Sequence, residues 1–186
     1  MISYLLAGPA LEPVTLAKAK AFLRVDDTVE DALIETLITA ARLHIESTTG
    51  RALIAQTWRV VLDCWPAERV LRLPVSPLIG LTTVTAYDAQ GAAHAIALAQ
   101  FQSEAAPARL LLPQTIDGMP VMRERQGIEI DYAAGHGSAA GDVPADLRQA
   151  LLVLVSGWFE HRDAADAAEP PAAFHRLVAP YRSVRL

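Results

Sequence analysis

The apolar residues of this chain change their spacing twice, and these changes constrain the fold class. From Val14 to Gly50 they recur every three or four residues, which is typical of amphipathic helices. Between residues 55 and 134 they alternate with polar residues, as in half-buried strands, and after Gly141 the helical spacing returns. The sequence therefore predicts an α+β protein in which a small antiparallel β subdomain is inserted into a helical core.

The helical core is expected to contain two N-terminal helices, one long C-terminal helix and one short one. Thr15 is suited to cap the first helix, and Gly50 to end the second, because glycine adopts the left-handed conformation that closes a helix. Pro144 fits the first turn of the long helix. The predicted helices cover residues 14–25, the stretch from the acidic residues 27–31 to Gly50, the stretch from Pro144 to Phe159, and residues 172–178.

The inserted subdomain is expected to be a series of short strands separated by turn residues. The predicted strands are residues 56–64, 70–73, 81–87, 93–98, 108–112 and 127–133, with residues 113–125 as a loop. We expect residues 1–186 to form one domain. Its parts are an N-terminal helical part (1–54), the β subdomain (55–134), a C-terminal helical part (135–179) and a tail (180–186).

Composition excludes several classes of protein. Sixteen basic residues face 21 acidic ones, giving a net charge of −5, and no dense basic cluster is present to hold nucleic acid tightly. The longest apolar run, residues 150–159, is too short to cross a membrane, and the N-terminus is a poor signal peptide. The single cysteine, Cys64, rules out an internal disulfide and is expected to be a buried small hydrophobe. A soluble intracellular protein is expected.

A glycine-rich loop between the last predicted strand and the long helix resembles a phosphate-binding loop in its position. Its spacing, with Gly135, Gly137 and Gly141, matches neither nucleotide-binding fingerprint, and no lysine follows. Pro144 lacks one of the N–H groups that a phosphate would use, and Asp142 adds negative charge. The loop is therefore interpreted as the turn from the sheet into the helix.

No set of residues with catalytic spacing is found. The histidines are scattered without a metal-binding pair, and Ser138 lies one place late for a nucleophile elbow. The acidic residues 26–31 are better explained by helix capping than by cation binding. The scattered histidines are His44, His94, His136, His161 and His175. No enzymatic activity, metal or cofactor is expected.

Two groups of apolar and aromatic residues exceed what a small monomer needs. Trp158 and Phe159 lie near the end of a broadly apolar helix, and Tyr181, Val184 and Leu186 lie in the tail. One interpretation is that the first group belongs to the ordinary core and that the second lies in a frayed terminus. The alternative is that both groups contact neighbouring subunits of an assembly.

Four stretches, in this order, resemble the head–tail connector (head-completion or adaptor) proteins of long-tailed bacteriophages and gene transfer agents. They span the chain, and residues 62–128 are its least diagnostic part. His136 departs from the pattern, since an aromatic residue such as tyrosine is expected between the two glycines. The stretches are VTLAKAKAFLRVD (residues 14–26), TGRALIAQTW (49–58), IDYAAGHGSAAGDVPADLRQALLVLVSGWFEHR (130–162) and LVAPYRSVRL (177–186).

The resemblance implies a structural protein of the particle neck that is assembled in the bacterial cytoplasm and does not bind a membrane. Such proteins form a homo-oligomeric ring, commonly a dodecamer, beneath the portal protein. The ring extends the channel through which DNA passes without specific binding, and it carries further neck and tail proteins. Alternatives are a tail-side completion protein, an assembly chaperone and, more remotely, a nucleotide-binding hydrolase.

The resemblance also implies where partners bind. The C-terminal tail would contact the portal, and Trp158 and Phe159 are candidates for contacts between subunits. The implied portal-contacting residues are Pro180, Tyr181, Arg182, Val184 and Leu186.

Overall fold

A computed structural model of the chain describes residues 1–161 and 170–182, and it divides into two compact units. The β unit comprises Met1–Pro9 and Ala55–His136, and the helical unit comprises Ala10–Ile54 and Gly137–Leu186. The described residues form four α-helices and two antiparallel sheets. The α+β class predicted from the sequence is confirmed at this level.

The β unit contains a five-stranded and a three-stranded antiparallel sheet. In order across the larger sheet, the strands are β1 (Ile2–Ala7), β2 (Gln56–Leu62), β8 (Ile128–Ala134), β4 (Leu78–Tyr87) and β5 (Ala93–Ala95). The smaller sheet consists of β3 (Val70–Arg72), β7 (Arg109–Leu111) and β6 (Gln102–Glu104), in that order. The sequence does not predict β1 or β6, because neither strand has alternating apolar residues of which one set is buried.

The register of β2 against β8 explains the alternation seen in the sequence. Val60 lies opposite Ile130, and both are fully buried, so these positions form the apolar face of the sheet. Arg59 lies opposite Asp131 on the other face. Tyr132, on the apolar face, is also fully buried, and burial raises the pKa of its phenol to about 12. The apolar alternation of the sequence thus encodes the core of the β unit.

The helical unit consists of four helices around one apolar cluster. These are α1 (Leu16–Leu23), α2 (Asp31–Thr49), α3 (Ala145–Glu160) and α4 (Ala172–Val178), and α4 is followed by a short 3-10 helix at Ala179–Tyr181. Side chains of all four helices contribute to the cluster, as the helical spacing predicts. Its fully buried members include Ala19, Ile34, Ile45, Leu147, Leu151, Leu154, Phe174 and Val178.

The predicted ends of the first two helices are confirmed in part. The hydroxyl of Thr15 accepts a hydrogen bond from the Lys18 N–H at 3.3 Å, and Gly50, at φ 67°, donates to the Glu46 carbonyl at 2.8 Å. The acidic stretch before α2 behaves differently from the prediction. The Asp27 carboxylate accepts from the Val29 N–H at 3.0 Å in a turn ahead of the helix, and Asp31 pairs with Lys20.

Two further expectations need correction. Arg42 of α2, a charged residue expected from its type to be on the surface, is only 7% exposed, since its guanidinium binds Glu12 at 2.8 Å and Glu46 at 2.9 Å. This places a paired charge at the border of the core. Cys64 is exposed, because the chain has left β2 two residues earlier and the thiol is not part of the apolar face. In the part of the chain that is described, none of the helices combines the length and apolar character needed to cross a membrane.

Candidate functional site

The C-terminal end of the helical unit is built around Tyr181. Its hydroxyl donates a hydrogen bond to Asp146 Oδ1 at 2.8 Å. Arg51 Nε donates to the Tyr181 carbonyl at 3.1 Å, and the Arg51 guanidinium lies 5.5 Å from the centre of the tyrosine ring. Since Arg51 lies two residues after the end of α2 and Asp146 lies in the first turn of α3, Tyr181 fastens the segment after α4 to two other helices.

The chemistry of this anchor keeps the tyrosine protonated. Burial raises the pKa of the Tyr181 phenol, and its hydrogen bond to the Asp146 carboxylate raises it further. The phenol therefore acts as a donor at neutral pH. The sequence gives no sign of this arrangement, because Tyr181 is 35 residues from Asp146 and 130 from Arg51.

Two of the remaining predicted tail residues are among the described ones. Pro180 and Arg182, on either side of Tyr181, are both exposed and therefore accessible to a partner. Val184 and Leu186 lie outside the described residues. Contact of these residues with a portal protein stays a prediction.

Trp158 and Phe159, the predicted subunit contacts, lie in the last turns of α3 and are half-buried. Both pack against the apolar cluster of the helical unit. The ring of Trp158 meets that of His44 nearly perpendicularly, with 5.9 Å between centroids. Packing within the subunit thus uses part of each side chain, and a role in subunit contacts stays a prediction.

The glycine loop contains a carboxylate of its own. Asp142 Oδ2 accepts a hydrogen bond from the Ala139 N–H at 2.9 Å. A Cβ added at Gly137 would collide with the Asp142 side chain, so this approach requires glycine. Gly135, at the end of β8, has φ 142°, which also favours glycine, and its N–H donates to the Pro77 carbonyl at 2.9 Å. These contacts suit a turn and place negative charge where a phosphate would need to bind.

A shallow groove in the helical unit, with a volume of about 450 Å³, is similarly unsuited to an anion. Its apolar wall includes Val14 and Ile38, and Glu12 and Glu35 are the charged residues that line it. Within residues 1–161 and 170–182, no three histidine, cysteine or carboxylate side chains come together as a metal site would require.

The polar face of the main β sheet carries a charged network that the sequence did not reveal. Arg59 forms a two-pronged pair with Asp131, with Nε–Oδ1 and Nη2–Oδ2 distances of 2.6 and 2.7 Å, and Nη1 lies 2.9 Å from Glu129 Oε2. Thr83 donates to Asp131 at 3.1 Å and Tyr87 to Glu129 at 3.0 Å. The bond from Arg59 lowers the pKa of Asp131, which stays ionised at neutral pH.

The signal for this network was present but incomplete. Arg59 and Asp131 both occupy polar positions in alternating strands, and they lie opposite each other once β2 pairs with β8. The sequence does not specify which strands pair or in which register, so it could not bring together residues 72 positions apart.

Comparison with known proteins gives consistent results. Residues 13–88 match the family model described as "Phage gp6-like head-tail connector protein". No curated protein sequence gives a significant match. Several chains in solved structures are similar over the whole length of this chain.

Three of these structures come from gene transfer agent (GTA) particles. A chain in "Neck of empty GTA particle computed with C6 symmetry" is 26% identical, with a TM-score of 0.84. A chain in "Virion of native gene transfer agent (GTA) particle" is 27% identical, with a TM-score of 0.83, and one in "Neck of native GTA particle computed with C12 symmetry" is 26% identical, with a TM-score of 0.79. Each match covers 100% of this chain and 97% of the other. The resemblance to head–tail connector proteins that the sequence indicated is confirmed.

Proposed function

We propose that this chain, which resembles head–tail connector proteins, is a structural connector in the neck of a phage or phage-like particle. The observation that carries the proposal is the end-to-end match, which covers 97% of chains found in gene transfer agent structures, two of them neck structures. The match includes both the helical and the β unit, so it is not the likeness of one common motif. The connector family model supports the same function independently.

The connector acts as a ring of identical subunits. Support comes from the C6 and C12 symmetry with which the similar neck structures were computed. Twelve copies, as the C12 neck suggests, would surround a common axis. The ring lies beneath the portal protein and carries further neck and tail proteins on its other side.

The charges of the subunit suit a channel through which DNA slides. The chain is net acidic, at −5, so the subunit as a whole does not attract DNA phosphates. On the polar face of the main sheet, Arg59 is neutralised by Glu129 and Asp131. Passage without specific binding follows if such paired surfaces line the channel.

Attachment to the portal is assigned to the C-terminal tail. Tyr181 is fastened to Arg51 and Asp146, so it fixes the point at which the tail leaves the helical unit. Arg182 is exposed directly after this anchor, and residues 183–186 add two apolar side chains, Val184 and Leu186. We assign the portal contact chiefly to the residues after the anchor.

A double variant, Val184→Ser with Leu186→Ser, tests this assignment while keeping the tail length. We expect the purified variant to have the same circular dichroism spectrum and thermal transition as the unmodified chain, because the anchor is intact. When the variant is produced in cells that assemble particles, it should be absent from the particles purified from those cells. Normal incorporation of the variant would refute the role of the tail. Cryo-electron microscopy of particles made with the unmodified chain provides the wider test: if the neck does not contain the chain, the connector function itself is refuted.

The matched control is Ser183→Ala, which changes the same segment without removing an apolar side chain. It should be incorporated normally. Loss of both variants would mean that any change in the tail is disruptive, and the assignment to Val184 and Leu186 would fail.

A further inference from the structure

The first strand of the β unit has an open edge. β1 pairs with β2 on one side, and among the described residues no strand pairs with its other side. The backbone N–H and C=O groups along that edge are therefore available to another strand. Such edges are commonly used for binding, because an added strand supplies hydrogen bonds along its whole length.

The composition of β1 leaves this edge without the usual protection. Its sequence, ISYLLA, contains no charged residue and no proline, the residues that normally keep an exposed edge from pairing. The opposite edge of the same sheet is different. β5 has only three residues, and its central His94 lies 2.9 Å from the Asp88 carboxylate, so that edge is short and polar.

Both faces of β1 are also exposed. Tyr4, opposite Arg59, and Leu5, opposite Trp58, point to different faces of the sheet, yet they are 43% and 45% exposed. Met1, Ile2 and Leu6 are 44–68% exposed as well. Five large apolar side chains at one sheet edge are therefore left uncovered by the rest of the subunit, and clustered exposed apolar residues of this kind mark interaction sites.

We propose that β1 is a contact between neighbouring subunits, with its open edge and apolar side chains buried against a second copy of this chain. The inference rests on the proposed ring and adds the surface that forms it. A second copy is favoured over another partner because the similar proteins occur in neck structures with C6 and C12 symmetry, in which identical chains surround an axis. In a closed ring the contact is head-to-tail, so β1 meets a different surface of the neighbour and not its β1.

Photo-cross-linking in assembled particles tests the proposal directly. Benzoylphenylalanine in place of Tyr4 should, after irradiation, give a covalent product of two copies, at twice the 20.0 kDa of the chain. The control carries the same group in place of Val121, which is 85% exposed in the same unit and should give little of this product. Equal yields from the two positions would overturn the inference.

The products also separate failure of this inference from failure of the proposed function. A product with a different protein, or no product although the chain is present in the neck, overturns the role of β1 and leaves the connector function standing. Absence of the chain from the neck overturns both.

A charge on the strand provides a second test. Leu5→Lys should raise the dissociation constant between copies about tenfold or more, because the interface would then bury an unpaired ammonium group. The position is 45% exposed within the subunit, so the thermal transition of the isolated chain should change little. Val121→Lys is the control. Association of the Leu5→Lys variant as strong as that of the control would contradict the proposal.

Discussion

The helical unit and the β unit differ in the side chains through which their helices or strands contact each other. In the helical unit, a continuous apolar cluster joins all four helices. In the β unit, the main sheet has one apolar face, with Val60 and Ile130, and one face on which Arg59 binds Glu129 and Asp131. Packing depends on volume and is insensitive to pH, whereas paired charges depend on protonation. The apolar cluster and the charged face of the sheet should therefore respond differently to truncation and to acid.

The difference also bears on assembly. The helical unit uses part of Trp158 and Phe159 in its own packing. The β unit leaves β1 open on its edge and on both faces. Exposed apolar side chains are thus more evident at β1, in the β unit, than at Trp158 and Phe159, in the helical unit. The two units are therefore expected to contribute unequally to subunit contacts.

The largest effect is expected from Phe174→Ala. Phe174 is fully buried in the cluster and its ring lies 5.4 Å from that of His44, so α4 depends on it for its attachment to α2. Removing the ring should lower the free energy of unfolding of the helical unit by about 3–5 kcal/mol. Urea denaturation followed by circular dichroism at a helix-sensitive wavelength measures the loss.

The control for this prediction is Leu43→Ala, on α2, where the side chain is 54% exposed. It should change the stability by less than about 1 kcal/mol. Similar losses from the two variants would show that burial in the cluster is not what stabilises the helical unit, and the contrast with the β unit would fail.

A smaller and pH-dependent effect is expected from Asp131→Asn. The Asp131 side chain is 11% exposed and accepts two bonds from Arg59, so losing its charge should cost about 2 kcal/mol at pH 7, less than for a fully buried pair. The hydrogen bonds from Arg59 lower the folded-state pKa of Asp131 below its ordinary value near 4. Its stabilising contribution is therefore complete above the unfolded-state pKa and disappears as pH falls through the folded-state pKa.

Urea titrations at several pH values test this sign. The gap between the unmodified chain and Asp131→Asn should close as the pH is lowered below about 4. Asp117→Asn, at an exposed aspartate of the same unit, should show no comparable gap at pH 7. A gap for Asp131→Asn that stays constant down to pH 2 would mean that the charge is not responsible.

Local signals allowed much of the fold to be predicted. The predicted helix at residues 172–178 coincides with α4, and Gly50 ends α2, because glycine at a helix end and periodic apolar residues act over short distances. β1 was missed because ISYLLA does not alternate and both of its faces are exposed. A strand that is exposed on both faces carries no burial pattern from which it could be predicted.

Features of the candidate site that depend on long-range contacts were not predictable. The bond between Arg59 and Asp131 requires the register of β2 against β8. A terminal tyrosine such as Tyr181 usually belongs to a frayed end, and only the folded helical unit brings Arg51 and Asp146 to it. The sequence identifies the residue types, and the tertiary structure decides which of them act together.

The smallest effect is expected from Tyr181→Phe, which probes a polar contact at the C-terminal end of the helical unit. Loss of the hydrogen bond to Asp146 should lower the free energy of unfolding by about 1 kcal/mol at pH 7. Burial and Asp146 raise the pKa of the phenol, so the unfolded chain ionises first and this contribution declines as the pH rises above about 10. The contact between Tyr181 and Asp146 would then be sensitive to alkali, in contrast to the acid-sensitive pair of Arg59 and Asp131.

Thermal unfolding at pH 7 and above pH 10, followed at the helix-sensitive wavelength, measures this difference. Arg182→Gln is the control, because the side chain is exposed and lies just beyond the anchor. It should leave the transition unchanged at both pH values. If Tyr181→Phe likewise leaves the transition unchanged, the tyrosine does not hold the end of the chain in place, and the tail would lack the fixed point from which we expect it to reach the portal.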